Sequence, residues 1–240
     1  MNSAEASFEA YLDYLSSLRQ SGIEYFLEGG QAVNFWAEYI DSISQSRPLS
    51  PMRPFTSKDC DIWISNESWK TLKRNPAVIK SKSPADGQLG ILTLSKKPPR
   101  VVDLLSSVFG IAEEKYPQLL KRSLDDGMVK VIDPIHLFQS KCHCFQHLPQ
   151  AGRQDERHVR MMAMILPEYL SLLISKTATG ELSDRNLLKE IKLAKKIVKT
   201  GICRRVLIKL QIDSQQIIPW TLLSESRSEL LKTYVQSQKL

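Results

Sequence analysis

The apolar period of the chain changes once. Between residues 23 and 132, short runs with strand character alternate with helical stretches. From Pro134 onward the pattern is helical throughout. Strand side chains alternate between two faces, whereas helical ones return to a face every three or four residues. A chain patterned this way is neither all-β nor all-α. It predicts an α/β part over residues 1–132 and a helical domain over residues 133–240. At 240 residues there is enough chain for one large domain or two small ones.

Several elements can be placed in the first part. Phe8, Tyr11, Leu12, Leu15 and Leu18 follow helical spacing, and Gly22 is a natural stop. "IEYFLEGG" reads as a strand ending in a glycine pair, and "QAVNFWAEYI" as the helix after it. Residues 41–57, "DSISQSRPLSPMRPFTS", carry three prolines and read as a long mobile loop. "DCDIWI" is the next strand, and "NESWKTLKRN" a short helix capped by Ser65 or Asn66. "AVIKS" and "LGILTLS" are strands on either side of the turn signal "SPADGQ". "PRVVDLLSS" is another strand, followed by a loose segment to about Asp126 and a last strand in "MVKVID". Trp36 and Trp63 read as core residues.

The strand at "DCDIWI" raises a chemical question. Asp59 and Asp61 share a face roughly 6.5 Å apart on an otherwise apolar run. Two ionised carboxylates so placed need a cation or strong donors. Asp103 interrupts a second apolar run, where a neighbouring strand could bring it beside them. Hard oxygen ligands in this grouping suit Mg²⁺ or Mn²⁺. Taken singly, each has a plainer reading: a solvated pair or turn cap for Asp59 and Asp61, a helix cap for Asp103. The glycine pair adds weight to the metal reading. Gly29 and Gly30 permit close approach of a phosphate, and the helix that follows offers unpaired N–H groups.

The order "GGQAVNFWAEY … FTSKDCDIWI … VVDLL" resembles the nucleotidyltransferase superfamily of the DNA polymerase β type. It is most similar to small bacterial members that include the AbiEii-like toxin nucleotidyltransferases. The resemblance covers roughly residues 20–160. It implies a nucleotidyltransferase fold with a mixed β-sheet flanked by helices. It also implies phosphate binding at Gly29 and Gly30, and metal ligation by Asp59, Asp61 and Asp103, with Asp103 a base or metal-tuning acid. The chain departs from the family pattern in two places. The connection from Gly30 to Asp59 is long. Gly30 also stands where many members carry Ser or Thr, which assigns the phosphate contact to backbone or to Gln31.

The second part carries further candidates. In "VIDPIHLFQSKCHCFQHL", Ile135, Phe138, Cys142 and Phe145 make an apolar face with Lys141 on its shoulder. The resemblance points Lys141 at the triphosphate. His136, His143 and His147 share the opposite side, but Cys142 and Cys144 point elsewhere, and no second cluster completes a zinc spacing. "GRQDERHVRMM" reads as a solvated first helical turn, with Asp155 and His158 in it.

The net charge is +7, and residues 181–210 hold nine Lys/Arg against three Asp/Glu, a local +6. Leu187, Ile191, Ala194 and Val198 make one face of a helix there, with Lys189, Lys192, Lys196 and Lys199 on the other. Such a face suits a polyanion, but on charge alone a solvated helix is the plainer reading. The longest apolar stretch, "MMAMILPEYLSLLIS", is broken by Pro167 and Glu168 and is too short to span a membrane. The acidic "MNSAEASFEAYLDYL" lacks the basic start of a secretory signal, and four cysteines without a framework suit a cytoplasmic address.

The reading as a whole is a metal-dependent enzyme with an NTP substrate. It would move a nucleoside monophosphate to an acceptor such as tRNA or another RNA. The toxin-like resemblance adds an antitoxin partner that the residues do not identify. The rival is an inactive module of the same fold that binds nucleic acid or a partner protein.

Overall fold

The structure, a computed structural model, describes residues 5–82, 87–97 and 99–238. The first part holds α1 (Glu9–Gln20), β1 (Tyr25–Glu28), α2 (Gly29–Ile43), β2 (Cys60–Ile64), α3 (Asn66–Leu72), β3 (Val78–Lys80), β4 (Gln88–Lys96), β5 (Pro99–Leu105), α4 (Tyr116–Arg122), β6 (Leu124–Asp125) and β7 (Lys130–Val131). The second holds α5 (Pro134–His147), α6 (Asp155–Ala178), α7 (Asp184–Val198), α8 (Gly201–Lys209), α9 (Trp220–Glu225) and α10 (Glu229–Gln236). This is the expected α/β arrangement followed by helices.

The seven strands form one mixed sheet in the order β3-β4-β5-β2-β1-β7-β6. β2 runs parallel to β5 and β1 parallel to β7, while the β1–β2 and β4–β5 pairs are antiparallel. Alternation then sorts the side chains. On one face Tyr25 donates its hydroxyl to the Leu15 carbonyl of α1 at 2.8 Å, which docks α1 there. On the other, Phe26 stacks on its cross-strand partner Trp63 with ring centroids 4.9 Å apart. That second face also carries Glu28, Asp61 and Asp103, since Glu28 pairs with Asp61 and Asp61 with Asp103.

Local chemistry sets the ends of the helices. α1 stops at Gly22, whose φ of +72° lets the Gly22 and Ile23 amides fold back onto the Arg19 and Leu18 carbonyls. Ser65 caps α3 by accepting from the Ser68 amide. Asp133 caps α5 by accepting from Ile135 and His136. The buried apolar residues form a single cluster that includes Phe8 and Val235. Within it Trp36 of α2 donates to the Ile132 carbonyl at 2.9 Å, beside the point where the strands give way to helices. No helix among the described residues is long and apolar enough to cross a membrane.

Two segments differ from the sequence reading. The expected loose stretch before Asp126 contains a 3-10 turn (Glu113–Lys115), α4 and β6. Pro117 sits in the first turn of α4, where its missing N–H costs nothing, and Tyr116 and Leu119 bury its inner side. The long loop of residues 41–57 is tied down. α2 extends into it as far as Ile43, and Asp41 accepts from the Leu49 amide at 2.9 Å and the Ser50 hydroxyl at 3.0 Å. Arg53 forks onto both oxygens of Glu38, and Leu49 and Phe55 are buried. Its polar groups thus serve its own backbone, α2, α6 and the N-terminal segment. Of the turn "SPADGQ", residues 83–86 lie outside the described residues, as do residues 1–4 of the acidic N-terminal stretch.

Asp41→Ala tests whether this segment is pinned. It leaves the buried Leu49 amide unpaired, at a cost of about 1–3 kcal/mol. Each kcal/mol lowers the melting temperature of a chain this size by roughly 2–4 °C. Thermal unfolding should show that loss, and hydrogen exchange at Leu49 should accelerate. An unchanged melting temperature would contradict the anchoring.

Candidate functional site

The acidic centre follows from strand register. Asp61 lies on β2 and Asp103 directly beside it on β5, while Asp59 precedes β2 by one residue. One carboxylate oxygen from each of the three lies within 4.8 Å of the others, so the three could hold a divalent metal. Ser57 donates to Asp59 Oδ1 at 3.3 Å, and Gln88 of β4 donates to Asp103 Oδ1 at 3.0 Å. Burial, then Asp59 and Asp103, push the Asp61 carboxyl from its ordinary 3.8 up to about 8. Burial, then Asp59, raise Asp103 to about 6, against the opposing bond from Gln88. Three crowded oxygen donors, of which Asp61 and Asp103 resist ionisation, are a donor set suited to a hard cation.

The glycine pair is built against these acids. Gly29 has φ +68°, and a Cβ there would collide with the Asp61 carboxylate. A Cβ on Gly30 would come 2.5 Å from Ser57 Oγ and 3.0 Å from His158 Cε1. α2 starts at Gly29 itself, with no side-chain cap and no acid in its first turn. Its N-terminal amides are therefore left for another acceptor. Gly30 lines a cleft of about 260 Å³, shared with Ser57, Asp59, Asp61, Asp103 and Lys141. Gln31 does not share it. It is fully buried, donates to the Ala6 carbonyl at 2.9 Å and accepts from Asn34 at 3.1 Å. The sequence reading gave Gln31 a phosphate contact; its amide is instead engaged in holding the N-terminal segment.

The opposite wall comes from the helical part. Lys141 of α5 is only 5% exposed and faces the cleft, with its ammonium 3.9 Å from Asp155 Oδ1. Arg153 donates to Asp155 Oδ2 at 2.6 Å, so Asp155 orients both cations. Asp155 and His158 depart from the solvated turn expected for them: they are 2% and 4% exposed and line the cleft. Neither ring nitrogen of His158 has a partner within the protein. Burial, then Lys141, Arg157 and Arg153, hold its pKa well below the usual histidine range, so the ring is neutral. Glu28 is a further buried acid, its Oε1 unpartnered. Burial and Asp61 raise its pKa well above the ordinary carboxylate value.

The remaining candidates fall elsewhere. His136 is bound to Asp133 at 2.8 Å, and all four cysteines are buried free thiols. Among the described residues, the acid triad is the single cluster with metal-binding potential. Lys189, Lys192 and Lys196 on α7 and Lys199 at its end stand exposed, away from the lining of the cleft, while Leu187, Ile191, Ala194 and Val198 are buried. Sequence reasoning missed Glu28, Ser57, Lys58, Gln88, Arg153 and Gln154 as neighbours of the site. For Asp155 and His158 a signal was there. They continue the stripe of Met162, Ile165 and Leu166 at helical spacing, which marks a buried face.

No protein-family model matches the chain, and no curated protein matches it. Among solved structures, it is similar to an antigenic nucleotidyltransferase-like protein from Paracoccidioides brasiliensis. The identity is 17% and the TM-score 0.42, over 93% of this chain and 99% of that one.

The carboxylate cluster predicts a pH signature. A carboxyl whose folded pKa lies above its unfolded value stabilises the fold below the unfolded pKa. That contribution is lost as pH rises through the folded value. For Asp61 the window runs from 3.8 to about 8. In EDTA, the melting temperature should fall across this range. Asp61→Asn should flatten the fall and melt higher than wild type at pH 8. A variant melting lower at pH 8 would mean that Asp61 is satisfied by the protein alone.

Proposed function

We propose that the chain is a metal-dependent nucleotidyltransferase, which moves a nucleoside monophosphate from an NTP to an acceptor and releases pyrophosphate. The observation that carries this reading is the polarity of the cleft. Three carboxylates form one wall, Lys141, Arg153 and a neutral His158 the other, with Gly30 between them. A triphosphate complexed to a divalent cation has the matching charges. The bound Mg²⁺ or Mn²⁺, held by Asp59, Asp61 and Asp103, would supply charge neutralisation of the phosphates and polarisation of the reacting oxygens.

The protein's own groups have separable tasks. Gly29 and Gly30 keep the floor free of side chains, and the uncapped start of α2 offers amide N–H groups to phosphate oxygens. Lys141 and Arg153 bind the leaving pyrophosphate. His158, neutral and unpartnered, offers one ring N–H to a phosphate oxygen. The acceptor oxygen attacks the α-phosphorus, the bond from that phosphorus to the bridging oxygen breaks, and the bridging oxygen leaves with pyrophosphate. The acceptor's proton passes to Asp103. Its Oδ1 accepts from Gln88, which leaves Oδ2 to take that proton.

The exposed lysines of α7 support RNA, such as a tRNA end, as acceptor. In this reading residues 133–240 act as a helical domain that closes the cleft over residues 1–132. The resemblance to AbiEii-like toxins brings with it an antitoxin partner, and the four free thiols fit the cytoplasm.

Thermal unfolding with each NTP, with and without Mg²⁺ or Mn²⁺, separates enzyme from inactive module. At about 100-fold excess over Kd, binding adds roughly 2.7 kcal/mol. That is a rise of about 5–10 °C, expected only when NTP and metal are both present. Asp59→Asn should abolish the rise and all transfer of label from NTP to RNA. Stabilisation indifferent to metal would favour the inactive module.

His158→Phe keeps the ring's bulk and removes its nitrogens. The loss of one hydrogen bond to a charged phosphate should raise the NTP KM about 10- to 100-fold. His158→Gln should recover part of it. An unchanged KM in the Phe variant would remove His158 from the phosphate site.

A further inference from the structure

A second cleft, of about 310 Å³, lies away from the acids, where α7 meets α9, α10 and the turn at Ser214–Ile217. Lys195, Lys199, Ser214, Gln215, Trp220 and Gln238 supply its polar and aromatic lining. Val198, Ile218 and Val235 supply its apolar floor. Among the described residues, none in the lining is acidic. Trp220 and Tyr234 form an aromatic corner, with ring centroids 6.5 Å apart and planes inclined at 37°. The Lys195 ammonium stands 5.7 Å from the Trp220 ring and 5.9 Å from the Tyr234 ring, and that of Lys192 5.5 Å from Tyr234. Lys199, the residue that ends α7 one turn beyond Lys195, brings another positive charge. Partial burial, then Lys199, hold the Lys195 pKa below the usual lysine range.

Like charges gathered beside aromatic faces, with no acid among the described lining residues, are placed for an anion that also has a flat ring. The volume is at the lower end of small-ligand pockets, about 300–1,000 Å³, and suits one nucleotide unit. Stacking on aromatic rings flanked by cations is the usual means of holding single-stranded nucleic acid. The cleft also adjoins the lysines that line the outer face of α7. We infer that the Trp220–Lys195–Lys199 cleft is a second nucleotide-binding site, which takes one base and its phosphate. Its source is either a strand of acceptor RNA or a free nucleotide. The RNA case rests on the transferase reading, and the site itself does not.

The test uses the full chain in EDTA, so binding is read even if the acid triad has no transferase activity. A fluorescent single-stranded RNA decamer is titrated by anisotropy, and AMP is added as competitor or measured by calorimetry. Trp220→Ala should weaken binding about tenfold or more, while Trp220→Phe should keep most of it. The double variant Lys195→Gln, Lys199→Gln should lower the salt slope for RNA by roughly 1.4. RNA binding that AMP does not displace identifies a strand as the source. AMP binding without RNA binding identifies a free nucleotide. All these positions are at least partly exposed, and equal melting temperatures establish that the variants are folded. RNA and AMP binding unchanged in Trp220→Ala and in the double variant, or absent from the wild type, overturns the site.

Discussion

Mutual repulsion among three carboxylates is the constraint around which the first part of the protein is arranged. Asp61 and Asp103 face each other because β2 and β5 run parallel. Parallel neighbours cannot be joined by a tight turn. The chain therefore leaves β2, passes through α3, β3 and β4, and returns as β5. β4 is antiparallel to β5, and Gln88 at its start donates to Asp103. On the other flank β1 brings Gly29 against Asp61 with no room for a Cβ. The strand order and the glycine both follow from placing these acids side by side.

The opposite wall meets the same problem with reversed sign. Buried Lys141 and exposed Arg153 are brought together, with Asp155 buried between them. Burying a charge is costly unless it is paired, and one carboxylate here serves two cations. The pairing leaves part of their positive charge uncompensated toward the cleft. Burial first, and like-signed neighbours second, raise the Asp61 and Asp103 carboxyls on one wall; burial first, and cations second, depress the His158 imidazole on the other. A ligand carrying both metal and phosphate would complement both walls.

Much of this was legible in the sequence, because the features involved are local. The Asp59–Asp61 spacing, the change from strand to helix at the glycine pair, and Lys141 on the shoulder of α5 depend on residues close in the chain. Asp103 could be suspected as an acid interrupting an apolar strand, although its partner strand could not be read. What escaped depends on long-range contact. Glu28 looks like the polar end of a strand until Asp61 is set opposite it. Gln31 looks free for phosphate until the N-terminal segment lies across it. Asp155 and His158 look solvated until α6 packs against α5 and α2.

The long connection between Gly30 and Asp59 acquires a purpose on the same grounds. Its polar groups reach three other elements. Arg53 and Asp41 tie it to α2. Arg157 of α6 donates to the Met52 and Pro54 carbonyls. The Ala6 and Ser57 backbones pair in a short bridge. The last residues of the segment, Ser57 and Lys58, lead directly into Asp59, and Ser57 touches both Gly30 and Asp59. A short turn between α2 and β2 could place Asp59 beside Asp61 but would make no contact with α6. The longer segment fixes the entrance of β2 against α2 and α6 together. The two walls of the cleft are thus held in register by the stretch of chain whose composition first suggested mobility.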